Sequence, residues 1–115
     1  MINPAVNHSP EWQAEKDHLS SCQQLRQALR EVKDPELGMD VIQLGLIRDV
    51  IIDDKHVLIK MILTTPFCPF APAMMKAVQQ KAEGALGLNV KVELDHQAWD
   101  SSMMENNGEA SWGIY

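Results

Sequence analysis

A cysteine between two prolines, Cys68 in the run Leu63-Thr64-Thr65-Pro66-Phe67-Cys68-Pro69-Phe70-Ala71-Pro72, is the residue best placed to do chemistry. A thiolate is both a nucleophile and a ligand for soft metals, and a nearby helix N-terminus lowers a cysteine's pKa. The run lies where an apolar strand, Val57 to Leu63, hands over to a helix beginning near Pro72. Neither Phe70 nor Ala71 has a side chain that caps first-turn amides, and Pro72 has no donor. The N–H groups of Ala73 and Met74 are therefore left to seek an acceptor, which an anionic sulfur or a bound anion could supply. Thr64 and Thr65 add hydroxyls at the end of the strand. The alternative is that Cys68 is a small loop hydrophobe and the threonines simply finish the strand. Against that, Cys68 lacks the periodicity that would place it in a core.

Asp34 and Glu36 flank Pro35 and could serve as ligands or as an acid and a base. Equally, Asp-Pro is an ordinary helix stop, and Asp34 can cap a turn with its own side chain. Cys22 falls on the apolar stripe of a helix and reads as core, unless it converges with Cys68 on one metal. His8, His18, His56 and His96 have no ligand spacing and read as surface residues. No zinc ribbon, phosphate loop, dinucleotide fingerprint or nucleophile elbow is present.

The elements that must position these groups are short. A polar lead over residues 1–18, expected to be partly disordered, carries Trp12 as a residue that could pin it to the domain at 19–115. A first helix opens with a capping box, Ser20 with Gln23 or Ser21 with Gln24, and buries Cys22, Leu25, Leu29 and Val32. It stops at Asp34-Pro35. After the turn and a short apolar stretch, Val41 to Leu46, come a strand at Ile47 to Ile52, a hairpin loop at Asp53 to His56 and its partner at Val57 to Thr64. The second helix runs from Pro72 to about Leu86 with Gly87 as its cap, burying Met75, Val78, Ala82 and Leu86. Asn89 to Leu94 alternates as a half-buried strand, with Val90, Val92 and Leu94 inward. Trp99, Met103, Met104 and Trp112 are anchors for an irregular tail. The order helix, strand, strand, helix, strand gives a small α+β domain, a three-stranded mixed sheet under two helices, in which the last strand could pair parallel to a hairpin strand.

Bulk properties narrow the function. With 115 residues and 45% apolar content the chain is one domain with a modest core. A net charge of −6 and the lack of a basic stretch argue against nucleic-acid binding. Residues 1–10 read as neither signal peptide nor anchor, and Val57 to Leu63 is far too short to span a bilayer. Two cysteines make no disulfide framework, so a reducing, cytoplasmic setting with free thiols is expected, without a membrane.

Three motifs in order, Asp34-Pro35-Glu36-Leu37-Gly38, Val41-Ile42-Gln43-Leu44-Gly45-Leu46-Ile47 and Leu63-Thr64-Thr65-Pro66-Phe67-Cys68-Pro69, resemble the small metal–sulfur cluster biosynthesis family. Its bacterial members include SufT-like and PaaD-like proteins, and its eukaryotic members serve in cytosolic iron–sulfur protein assembly. The resemblance runs from about residue 23 to the end and takes in Trp99 and the Met103-Met104 stretch up to Gly113. PaaD-like members generally carry a further cysteine-rich C-terminal segment, so the sequence to Tyr115 matches the short SufT-like type.

The resemblance implies a compact α+β domain and a role in maturing iron–sulfur proteins, with Cys68 central and with Asp34, Glu36 and Thr64 on the family's acidic turn and strand-end threonine. Thr65 stands beside them as a supporting hydroxyl. A ferredoxin-type cluster wants four cysteine ligands, so with one loop thiol no stable self-contained cofactor is expected in this chain alone. The chemistry leaves a cluster bridged between two chains (a homodimer) with outside thiols, a transient iron or cluster ligand during transfer, or no direct metal contact. The expected partners are iron–sulfur assembly proteins and client apoproteins, and the expected role is assembly factor rather than enzyme. Two rivals stand beside it. One is a metal-free protein–protein adaptor with a structural or regulatory Cys68. The other is a small thiol enzyme, which needs a base such as His56 or His96 within reach of the sulfur.

Overall fold

Two runs rich in β-branched residues form the hairpin at the centre of the computed structural model, which describes residues 12–35, 37–53, 55–65, 69–95 and 97–104. Strand β1 (Ile47–Ile52) pairs antiparallel with β2 (His56–Met61), and β3 (Asn89–Leu94) pairs parallel with β2 in register Val57↔Val90 to Met61↔Leu94. The sheet is therefore mixed, in the order β1-β2-β3. Strand β2 starts one residue earlier and ends three residues before the expected Thr64. The Ile62 N–H still donates to the Leu46 carbonyl at 2.8 Å, after which the chain leaves the sheet and frees Leu63 to Thr65 for other partners.

Helix α2 (Ala71–Leu86) connects β2 to β3 and lies against β3. Pro72 sits in its first turn, where a missing N–H costs nothing, and Gly87 ends it at φ 67°, its N–H on the Glu83 carbonyl at 2.8 Å. The buried stripe is Met74, Val78 and Ala82, in place of one led by Met75, and Leu86 is only partly buried. Either methionine satisfies helical spacing with Val78. The side on which the sheet lies decides between them.

Helix α1 (Leu19–Leu29) packs against α2 and buries Cys22, Leu25 and Leu29. It begins after His18, so Ser20 and Ser21 lie inside the first turn and no side chain caps the helix, contrary to the capping box expected there. It also ends well before Asp34-Pro35. The Glu31 and Val32 amides donate to Ala28 and Leu29 three residues back, a tightened last turn that keeps Val32 on the buried stripe.

Ahead of α1, residues 12–18 are bound to the domain. The Trp12 indole is buried, donates to the Ile47 carbonyl at 3.3 Å and lies 3.8 Å under the Arg26 guanidinium. Gln13 to Lys16 form a single 3-10 turn, with Ala14 buried. Among the described residues no helix is long and apolar enough to cross a membrane.

Candidate functional site

The site is assembled by what happens at the two chain segments that leave the regular elements. After Val32 the chain closes a narrow loop: Lys33 bridges Asp40 antiparallel, and the Asp34 N–H donates to the Met39 carbonyl at 2.9 Å. Gly38, at φ 71°, makes the tight return and donates to the Asp34 carbonyl at 2.8 Å. The Asp34 side chain is only 1% exposed. One oxygen, Oδ1, accepts from the Leu37 N–H at 3.3 Å, which is the turn-capping role open to Asp34 from the sequence. The other, Oδ2, accepts from the Thr64 hydroxyl at 3.3 Å.

That second bond brings together Asp34 and Thr64, two of the residues singled out from the sequence and 30 positions apart. Thr65 follows, partly buried. Glu36, two residues after Asp34, and Cys68, four residues after Thr64, lie outside the described residues, as do His8, His96 and Trp112. The flanks of both segments are apolar and open: Leu37 is 48% exposed and Phe70 is 41% exposed. Phe70 is also the residue before α2, and its carbonyl accepts the Met74 N–H at 2.9 Å. Met74 is thus not one of the amides left over at this terminus, because the N-cap carbonyl already closes its bond.

Beside Thr64 is a cleft of about 390 Å³ between Leu63 and Thr64 on one wall and Leu94, Gln97, Ala98 and Trp99 on the other. Leu94, expected to point inward, is 44% exposed at the mouth of this cleft. It occupies the last position of an edge strand, beyond the cover of α2. The far wall is a strap, residues 97–104, fastened at three places: at Trp99 and Met103, two of the anchors read from the sequence, and at Arg48, which the sequence did not single out. The Trp99 indole donates to the Leu44 carbonyl at 2.7 Å. The Met103 carbonyl lies so close to Gly45, itself at φ 72°, that a β-carbon there would come within 2.0 Å of it. Arg48 donates to the Gly45 carbonyl at 3.0 Å and to Gln97 at 3.2 Å. Burial lowers the Arg48 pKa, and the nearby carboxylates of Asp100 and Asp95 oppose that shift.

Arg48 reaches the strap because of a bulge. The ladder runs Ile47↔Met61 and then Asp49↔Lys60, so Arg48 has no opposite residue and is free to turn out of the pleat. The apolar stretch Val41 to Leu46 is a turn rather than an extended segment. Asp40 Oδ1 accepts from the Ile42 and Gln43 amides at 2.9 and 2.8 Å, while Gln43 accepts the Asp40 N–H at 3.2 Å. This reciprocal arrangement was readable as Asp-x-x-Gln before an apolar run.

Cys22 is separate from all this. It is fully buried on α1, and burial pushes its thiol up to about 11, helped by the negative charge of Glu15 and opposed by Arg26. A thiol held in that form is neither a ready nucleophile nor a metal ligand at neutral pH. His56 opens β2, at the opposite end of that strand from Thr64. Among the described residues no group of three or more His, Cys, Asp and Glu side chains is arranged to hold a metal ion.

A three-stranded mixed sheet under two helices, with an acidic turn tied to a strand end, defines a small α+β domain. The family model described as iron–sulfur cluster assembly protein matches residues 22–94, and the chain belongs to that family. A Porphyromonas gingivalis protein named Fe-S protein maturation auxiliary factor is 33% identical over 101 residues, covering 85% of this chain and 96% of its own length. The Bacillus subtilis Fe-S protein maturation auxiliary factor YitW is 44% identical over 54 residues, 46% of this chain and 53% of its own. Among solved structures, a domain of unknown function from Bacillus anthracis superposes with a TM-score of 0.69 at 28% identity, over 75% of this chain and 85% of that one.

Proposed function

We propose that this chain is an auxiliary factor for the maturation of iron–sulfur proteins, in which Cys68 is the working thiol and Asp34, Glu36, Thr64 and Thr65 support it. The observation that carries the reading is the hydrogen bond from Thr64 to the buried Asp34 carboxylate. It joins Asp34, two residues before Glu36, to Thr64, four residues before Cys68, which supports reading the acidic turn and the cysteine loop as one site. The names of the relatives, maturation auxiliary factors, support the same reading.

Chemically, one thiolate meets a quarter of the ligand demand of a ferredoxin-type cluster. Iron or a cluster is therefore cargo, held together with thiols of an assembly partner or client apoprotein and leaving with them, rather than a resident cofactor. The exposed Leu37 and Phe70 give such a partner apolar surface to bury. A reducing cytoplasm is the compartment that keeps this sulfur available. No base is part of the scheme, and the chain acts by holding and passing, not by turning over a substrate.

The test is an anaerobic iron and acid-labile sulfide assay, with a visible absorption spectrum, on wild-type and Cys68→Ser protein purified side by side. Iron and sulfide on the wild type, absent from a folded Cys68→Ser variant, is the expected result. Equal loading of both variants would remove Cys68 from the role.

A further inference from the structure

Strand β3 is an edge of the sheet. The Asn89 and Asp95 amides donate back to Lys55 and Met61 on the β2 side, so the alternate residues Val90, Val92 and Leu94 turn their backbone groups outward. Among the described residues only Val90 has those groups engaged, its carbonyl by the Gln79 amide at 3.0 Å and its N–H by Glu83 at 3.3 Å. Among the described residues no hydrogen bond covers the outward groups of Val92 and Leu94. Along this edge runs an open groove of about 730 Å³, walled by Pro72, Met75 and Gln79 of α2 and by Val92 and Leu94. An uncovered edge flanked by apolar side chains is a template for another strand.

The side chains specify which strand. We propose that two copies of the chain associate through β3, antiparallel about a two-fold axis, with Val92 opposite Val92 of the second copy. In that register Val90 faces Leu94 of the second copy on the helix-covered side, and the half-exposed Leu94 is buried in turn. On the open face Lys91 stands opposite Glu93 of the second copy, twice over by symmetry. The charge row already begun across the sheet, Asp49 beside Lys60 beside Glu93, then continues with a lysine.

Neighbouring registers fail. A slip by one residue sets apolar side chains against the charged face. A slip by two places Glu93 opposite Glu93 or Lys91 opposite Lys91, and like charges directly opposite are unfavourable. A single strand of six residues, Asn89–Leu94, is thus complementary to its own reverse in one register. The Lys91–Glu93 contact within one chain, at 3.5 Å between exposed side chains, is too weak to compete. Pairing also lets Leu94 of the second copy replace the Gln79 and Glu83 side chains on Val90, so each outward group on the edge keeps a backbone partner.

The two-fold sends the Thr64 ends of the two sheets in opposite directions, about 30 Å apart at ordinary strand rise. This dimer therefore carries two separate sites rather than one shared site, and it stands or falls independently of the role of Cys68.

Light scattering and native mass spectrometry on the full chain test it. The wild type forms a dimer at micromolar concentration. Lys91→Glu and Glu93→Lys each place like charges at both related positions and weaken self-association about tenfold or more. The decisive arm mixes the two variants: the acidic chain pairs with the basic chain, and a one-to-one heterodimer forms from two preparations that are each monomeric. Circular dichroism confirms that both surface variants remain folded. A wild type that stays monomeric, variants that dimerise as the wild type does, or a mixture that gives no heterodimer would each overturn the proposal.

Discussion

Thr64 and Asp34 make the smallest unit of the site whose removal has a defined consequence. Thr64→Val keeps the shape of the side chain and deletes the hydroxyl that donates to Asp34 Oδ2. The buried carboxylate retains the Leu37 amide, so the expected loss is about 1 kcal/mol of stability, read by denaturant titration. A variant as stable as the wild type would mean that the bond contributes nothing. Cys22 gives a second outcome at this scale. Its folded-state pKa is raised from 9.0 to about 11, so the folded chain favours the protonated thiol. That contribution is fully present below pH 9 and is lost as pH rises through 11. Stability measured across that window should fall more steeply in the wild type than in Cys22→Ala. At neutral pH an alkylating reagent should leave Cys22 unmodified until the chain unfolds. The roles of Asp34 and Cys22 were legible from neighbours in the sequence, a proline for one and an apolar stripe for the other. The pairing of Asp34 with Thr64 was not, because it depends on a tertiary contact between two loops.

Among the elements, the strap at residues 97–104 forms the wall of the cleft beside Thr64, and its attachment at Gly45 is the tightest. Gly45→Ala must both adopt φ 72° and displace the Met103 carbonyl. It should cost about 2 kcal/mol or more and release Trp99 from Leu44, seen as a red shift of tryptophan emission that a Trp99→Phe background removes. An unchanged emission spectrum with unchanged stability would show that the strap does not depend on this contact. The strands were readable because their signals are local: β1 and β3 lie where alternation and β-branched residues put them. The face of α2 was not, since Met74 and Met75 satisfy the same spacing and only packing chooses. Trp99 and Met103 were legible as anchors of the strap, but its tie to Arg48 escaped for a related reason. Arg48 looked like an ordinary strand residue, and nothing local reveals that a bulge turns it toward Gln97.

For the whole molecule, the order of elements and the parallel placement of β3 followed from short local signals plus one topological rule. The family followed from three motifs in sequence rather than from any single one. What the motifs share physically is now visible for Asp34 and Thr64: a buried carboxylate spans two loops that would otherwise be separate. A thiol four residues further along is the chemical centre this account assigns to the molecule. The measurement that tests that assignment most directly is the activity of iron–sulfur enzymes in cells lacking this chain, complemented with wild-type or Cys68→Ser protein at matched abundance. The wild type is expected to restore those activities and the folded Cys68→Ser variant is not. Full restoration by Cys68→Ser would contradict it and leave the chain as an adaptor whose loop cysteine does no chemistry.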